Sequence, residues 1–396
     1  MPLVTRPADR PAFSIVVVAR NEARTLPHLL DSLWPFRERR GDLLLVDTGS
    51  EDETAELGRD FGCRVIAAGE RFASRLTDAQ AERIRRRFAR EGEGPLVTSG
   101  QRLFHFARAR QWASTRARRD VLWHLDGSDV VEVFDLDFVD GSIRRGEAGS
   151  VGCEVRLGTL SFRTCRFYDR RFDRWEGRAH EGLYPRPKVS ASVVRAPRLE
   201  CPPDRLAVRH VRRGRKERNY LAGLALEALP RAARPRWLHY LGRELHYLGF
   251  HRSAVAVLEE HAAREDAWRP ERSGSLCFAG QSRLALGEPD RAADLFLRAF
   301  TIDSSWREPL LRLAEVCASR DDLRGAVAQA TAALSIPRTT SHVEADENYT
   351  WAPHLLLYRS LLRLGSREEA REHWQACVRF APNLPAFRED ASAFEP

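Results

Sequence analysis

Lysine is almost missing from this 396-residue chain. It occurs only at Lys188 and Lys216, which leaves 62 arginines in a Lys+Arg total of 64. Methionine occurs once. Arginine-rich surfaces neutralise nucleic-acid phosphates, but two lysines and one methionine read as the codon bias of a GC-rich genome. With 56 acidic residues interspersed, a net charge of +8 and no nucleic-acid module, no nucleic-acid partner is expected. Apolar runs near the ~18 residues of a membrane span are absent, so no span is expected. The start of the chain lacks the apolar stretch of a secretory signal. CxxC is also absent, and seven scattered cysteines suit a reducing cytosol better than a disulfide framework or a zinc site. The expected location is cytoplasmic. Without GxGxxG or GxxxxGK[ST], a dinucleotide or P-loop site lacks its fingerprint.

What is present divides into two halves. At 43% hydrophobic and 30% charged residues, the chain is long enough for two or three globular domains. Phe13–Ala19 reads as a strand buried on both faces, and Leu43–Val46, Cys63–Ala67 and Val121–Leu125 as further strands. Helical spacing lies between them at Leu26–Trp34 and Glu51–Phe61. This alternation predicts a parallel α/β sheet. Val151–Leu157, Leu160–Tyr168 and Arg205–Val211 predict a mixed or antiparallel edge. From about Glu217, helical Ala/Leu/Arg segments recur with turns at Gly249, Gly287, Asp322 and Gly365. Their spacing lies around the 34-residue helix–turn–helix period of tetratricopeptide repeats; the alternative is a generic helical bundle. Small residues are expected at the helix crossings at Ala254, Ala292, Ala326 and Ala370. The predicted domains are residues 1–214 and 215–396. Within the first, residues 69–105 form a long insertion whose basic helix, Thr77–Arg90, is a candidate lid or acceptor element or else a solvated surface helix.

Parallel sheets bind ligands beyond the carboxyl ends of their strands, and three polar clusters fall there. They are Arg20-Asn21-Glu22, Asp47 to Thr54 (which includes Asp52), and Asp126-Gly127-Ser128-Asp129. A carboxylate after the second strand can accept hydrogen bonds from a nucleobase or ribose, and carboxylates after the fourth can hold a divalent cation. The alternative for Asp47 and Asp52 is a helix-capping role after a strand. Arginines cluster at Arg163, Arg166, Arg170, Arg171, Arg174 and Arg178, where one or two could face phosphate oxygens. Trp175 is a candidate sugar platform; the other tryptophans read as packing.

These motifs in their order resemble an inverting family 2 glycosyltransferase of the GT-A fold: a Rossmann-like α/β domain with a mixed central sheet, followed here by tetratricopeptide-like helical repeats. Phe106 to Gln111 and Trp175 to Glu181 resemble two further motifs of that family, and Arg218-Asn219 resembles the step into its helical half. The branch with such repeats includes bacterial peptide S-glycosyltransferases. The resemblance implies transfer of a hexose, with inversion, from a nucleotide sugar (a UDP-sugar) to a peptide, saccharide or small-molecule acceptor. It implies nucleotide-sugar contacts from Arg20, Glu22, Asp47, Asp52, Arg110, Asp126 and Trp175. A Mn²⁺ or Mg²⁺ ion would be held by Asp126 and His210, acting as a Lewis acid on the leaving diphosphate. Asp129, His180 and Glu181 would be the catalytic candidates on the acceptor side.

The chain departs from the family where Ser128 replaces the second aspartate of D-x-D, since a neutral hydroxyl is a weaker metal ligand. The metal is then held by Asp126, His210 and water, or is replaced by arginines, or the site is inactive. The alternative to an enzyme is a catalytically silent α/β half with the repeats acting as a protein-binding scaffold. The repeats also offer a peptide or protein acceptor surface and a homodimer surface.

Overall fold

A computed structural model describes residues 10–158, 160–189, 194–211, 220–230, 232–339 and 344–394. Arg218-Asn219 lies outside the described residues. The chain forms two compact units. One comprises residues 1–76 and 100–223, the other residues 77–99 and 224–396. The basic helix expected as an element of the first domain therefore belongs to the second unit, and the boundary falls after Gly223 rather than at residue 214.

The elements follow in chain order. β1 (Phe13–Ala19), α1 (Leu26–Ser32), α2 (Trp34–Glu38), β2 (Asp42–Asp47), α3 (Thr54–Phe61) and β3 (Arg64–Ala67) come first. β4 (Ala73–Arg75), α4 (Asp78–Phe88), β5 (Arg102–Phe104), α5 (Phe106–Ser114), β6 (Val121–Asp126) and β7 (Asp129–Phe134) follow. Then come α6 (Leu136–Arg144), β8 (Ser150–Leu157), β9 (Leu160–Asp169), β10 (Asp173–Glu176), β11 (Gly182–Pro185), β12 (Arg198–Glu200) and β13 (Leu206–His210). The remainder is helical: α7 (Leu221–Ala228), α8 (Pro235–Tyr247), α9 (His251–Ala262), α10 (Arg269–Ala285), α11 (Pro289–Ile302), α12 (Glu308–Ser319), α13 (Leu323–Leu334), α14 (Trp351–Leu364), α15 (Arg367–Phe380) and α16 (Pro385–Glu389).

The sheet of the first unit runs β3-β2-β1-β6-β9-β8-β13-β7, with β12 beside β8. β3, β2, β1 and β6 are parallel neighbours. These are the apolar runs read from sequence, and their side chains fill cores on both faces of the sheet, around Phe13, Ile15 and Trp123 and around Val16, Leu44 and Leu122. The alternation then stops. β6 passes into β7 through Gly127 and Ser128 with no crossover helix. β9 lies antiparallel to β6 and β8, and β13 antiparallel to β7. A doubly wound fold needs a helical crossover between parallel strands. The expected mixed sheet with its antiparallel part is found, but the sheet is curled and the strand–helix alternation ends at β6, so the Rossmann-like GT-A assignment is corrected.

The second unit is built of antiparallel helix pairs, α8/α9, α10/α11, α12/α13 and α14/α15, joined by tight turns. Each turn needs one residue in the left-handed region, supplied by Gly249, Gly287, Asp321 and Gly365. In the third turn this residue is Asp321, while Asp322 accepts from the Gly325 amide as the cap of α13. Ala254, Ala292, Ala326 and Ala370 are all fully buried, because close-packed helices leave room for a methyl group there and little more. The segment 77–99 completes this unit. Thr77 and Gln80 form a capping box that starts α4, and α4 packs on α9. Glu93 accepts from the Arg252 amide at 2.7 Å and the Ser253 amide at 3.2 Å, so its carboxylate neutralises orphan donors and the positive end of α9.

Polar rungs cross the α8–α9–α10 packing. His239 Nδ1 and His261 Nδ1 meet the Ser275 hydroxyl at 2.7 and 2.8 Å, all three side chains being buried. Two turns further along α8 and α10, His246 Nδ1 meets Ser282 Oγ at 2.8 Å. Burial pushes His261 down to about 4, helped by Arg264 and Arg272 against Asp266. Burial and the neighbouring His251 push His246 down to about 4 as well. An unfolded chain protonates these rings near 6.5, so it binds more protons than the folded chain between about 4 and 6.5. Stability from these rungs is complete above that window and is lost as pH falls through it. We expect the free energy of urea unfolding to fall between pH 7 and pH 4, on the order of 3 kcal/mol of it from His261. His261→Asn should flatten that dependence; an unchanged slope would count against the rungs.

Candidate functional site

The first two sequence clusters are spent on each other. Asn21, in the left-handed region at φ 52°, donates its amide to Ser50 Oγ at 3.0 Å, and its Oδ1 accepts from the Glu51 amide at 2.8 Å. The Glu22 amide reaches Thr54 Oγ1 at 2.7 Å, and the Ala23 amide reaches Asp52 at 3.0 Å. Asp47 accepts from the Ser50 amide and hydroxyl at 3.0 and 2.5 Å. Asp52 accepts from the Thr54 amide and hydroxyl at 3.1 and 2.5 Å. Burial opposes ionisation of Asp52, but the Thr54 and Ala23 hydrogen bonds hold its carboxyl below the ordinary value. Glu22 is buried, and its Oε2 accepts from Thr25 Oγ1 at 2.9 Å. Gly127 lies so close that a Cβ there would stand 2.8 Å from Glu22 Cγ. Arg20 pairs with Glu70 at 3.0 Å. Asp52 and the Glu22 amide thus tie the loop after β1 to the loop after β2, while Asp47 closes its own turn on Ser50 and α3 begins after Glu53 without a side-chain cap.

The third cluster gathers charged groups from five elements and one loop. Arg110 of α5 donates from Nη2 to Asp126 Oδ1 at 2.5 Å and from Nε to Glu181 Oε1 at 2.6 Å. Arg166 of β9 donates to Asp126 Oδ2 at 2.7 Å and lies 3.4 Å from Asp129 Oδ2. Asp129 Oδ2 accepts from the Asp126 amide at 2.8 Å, and its Oδ1 meets His210 Nδ1, at the end of β13, at 2.8 Å. Burial would raise the Asp126 carboxyl, but Arg166, Arg110 and His210 outweigh it and hold the group far below the usual carboxylate range. Of the sequence arginine cluster, Arg166 joins this site. Arg163, Arg170, Arg171 and Arg174 pair instead with Glu200, Asp120, Asp169 and Glu176.

The other candidates are placed differently. Trp175 is buried; its indole N–H donates to Tyr168 OH at 2.9 Å, and its ring lies 5.1 Å from the Arg110 guanidinium. A buried ring offers no open face to a sugar. His180 is exposed, takes φ 50° and sits edge-on to Tyr220 at 5.5 Å. Ser128 is buried, and its carbonyl accepts from the Val211 amide at 2.8 Å. Asp129 is buried with both oxygens engaged.

Ligand atoms of Asp126, Asp129 and His210 lie within 4.8 Å of one another, so a divalent cation has three nearby donors. The donor chemistry does not fit. Such a cation seeks carboxylate oxygens that are not already neutralised, and both Asp126 oxygens carry a guanidinium. The Mn²⁺ or Mg²⁺ expected from the resemblance would have to displace an arginine.

A second arrangement, not read from sequence, lies in the helical unit. Arg236, Tyr240, Arg243 and Tyr247 recur at alternating four- and three-residue steps, which places them on one face of α8. That spacing was the available signal. Arg236 pairs with Glu271 of α10 at 3.1 Å and donates to Tyr240 OH at 2.7 Å. Tyr247 and His246 meet Phe278 of α10 edge-on at 5.8 and 5.6 Å.

No family model matches this chain, and no curated protein matches it. Among solved structures, it is similar to one described as the functional characterisation of Pseudomonas aeruginosa pilF. Identity there is 18%, coverage 44% of this chain and 71% of that one, and the TM-score 0.35. It is also similar to MamA (13% identity, 43% and 88% coverage, TM-score 0.34). A third is YrrB, described as a TPR protein with an unusual peptide-binding site (17% identity, 43% and 81% coverage, TM-score 0.33). None of the three is described as a glycosyltransferase. The resemblance to family 2 glycosyltransferases is corrected, since neither the family models nor the curated proteins return that family, and the nucleotide-sugar donor is left without support. Among the described residues, no helix is long and apolar enough to cross a membrane.

Two outcomes follow from the arginine clasp. Asp126→Ala leaves Arg110 and Arg166 facing each other, and should lower unfolding stability by about 3 kcal/mol, read from the urea midpoint; a midpoint that stays put means the clasp is not structural. A millimolar excess of Mn²⁺ should leave the melting temperature unchanged, because only an ion that binds the folded chain raises it.

Proposed function

We propose that this protein is a binding scaffold whose helical-repeat unit receives a peptide or protein partner, while the acidic residues of the first unit serve its architecture. The observation that carries the reading is the closure of Asp126 on both oxygens by Arg110 and Arg166. The loop carboxylates Asp47 and Asp52 are likewise consumed locally. The helical unit, by contrast, repeats one helix pair four times. Stacked pairs of this kind offer extended surfaces whose exposed positions vary independently of the packing alanines.

The test is an array of short photoreactive peptides of random sequence, probed with the full chain and read by cross-link mapping. A reproducible subset should bind, with cross-links falling in residues 224–394. An array without selected peptides, or cross-links confined to the Asp126 cluster, would sink the scaffold reading.

A further inference from the structure

Arginines of the first two helix pairs mostly have a carboxylate. Arg236 pairs with Glu271, Arg264 with Asp266 at 2.6 Å and Arg283 with Glu288 at 2.5 Å. Arg243 differs. Among the described residues no carboxylate lies within ion-pair distance of it, and its Nε is buried without a hydrogen-bond partner. Its guanidinium lies between two aromatic rings instead, 5.4 Å from Tyr240 and 5.2 Å from Phe278. Glu271 is near enough to feel its charge but is bridged by Arg236.

We propose that this face of α8 and α10 docks an acidic peptide segment, with Arg243 as its charge partner and Tyr247 and Phe278 as the flanking contact surface. The proposal rests on the scaffold reading and names the partner's chemistry. A guanidinium stacked on rings keeps its edge N–H groups available, and a carboxylate can engage two of them at once. Arginine and tyrosine set in partly desolvated surroundings are the residue types that dominate binding interfaces. Tyr247 is 49% exposed. The face is also preorganised, since the His239–Ser275 and His246–Ser282 rungs fix α8 against α10 directly beside it. A net charge of +8 favours encounter with acidic segments over basic ones.

The probe is a fluorescein-labelled peptide of alternating glutamate and leucine, compared with the same peptide carrying glutamine for glutamate. Fluorescence anisotropy is read on the full chain. The glutamate peptide should bind, weakening with salt, and the glutamine peptide should bind about tenfold more weakly. Arg243→Gln should erase that difference, and Tyr247→Ala, at an exposed position, should weaken both peptides. An unchanged far-UV spectrum checks that each variant folds. Equal affinity for the two peptides, an unaffected Arg243→Gln, or preference for an oligonucleotide over the glutamate peptide would each overturn the proposal. If neither peptide binds while the random array still selects partners on residues 224–394, the acidic-segment proposal fails and the scaffold reading stands. If the array also selects nothing, both fail.

Discussion

A buried guanidinium has to be neutralised where it stands, and Arg110 imposes that requirement on the first unit. It is more than nine-tenths buried and rests against Trp175, so a single carboxylate would leave part of its hydrogen-bonding capacity unused. Asp126 and Glu181 answer it from β6 and from the loop before β11. Asp126 then has an oxygen left over, which draws in Arg166 of β9, and Arg166 draws in Asp129. Through this chain of compensation α5, β6, β7, β9 and β13 converge at one sheet edge. The residues that look like a reaction centre in sequence are the ones that fix where those elements meet.

Much of the fold was legible because it rests on local rules. The run FSIVVVA of β1 reads as a strand buried on both faces, and Thr77 reads as the start of a helix. The turn glycines and the four buried alanines of the helix pairs were also readable, since tight loops and close crossings admit few other residues. The site was harder. Asp47, Asp52 and Asp126 lie where parallel sheets place ligand carboxylates, and sequence position does not reveal which of them are already occupied. That depends on Arg166, which reaches Asp126 from the neighbouring antiparallel strand β9, 40 residues later in the chain, and on the turn from β6 into β7 at Gly127 and Ser128. Long-range pairing of this kind leaves no periodicity to read. Ser128 was the one local hint, a neutral residue where an ion site would carry charge.

The helical unit follows a different economy. Its pairs are held by small residues at crossings, and the polar groups that enter that packing include the histidine–serine rungs between α8, α9 and α10. Neutral imidazoles can lie in such a place at modest cost because each finds a serine hydroxyl. The rungs orient the helices that carry Tyr240, Arg243 and Phe278, so the packing and the exposed face of the first pairs are set by the same contacts.

The discontinuous make-up of the second unit has a consequence for how the chain is made. Residues 77–99 leave the ribosome well before α9 exists to receive α4 or to be capped by Glu93. At synthesis rates of about 5–20 residues per second the wait is roughly 10–30 s. Throughout it, Ile84 and Phe88, which end fully buried, have no α9 to pack against. The second unit therefore completes its packing only after the whole of the first has been synthesised.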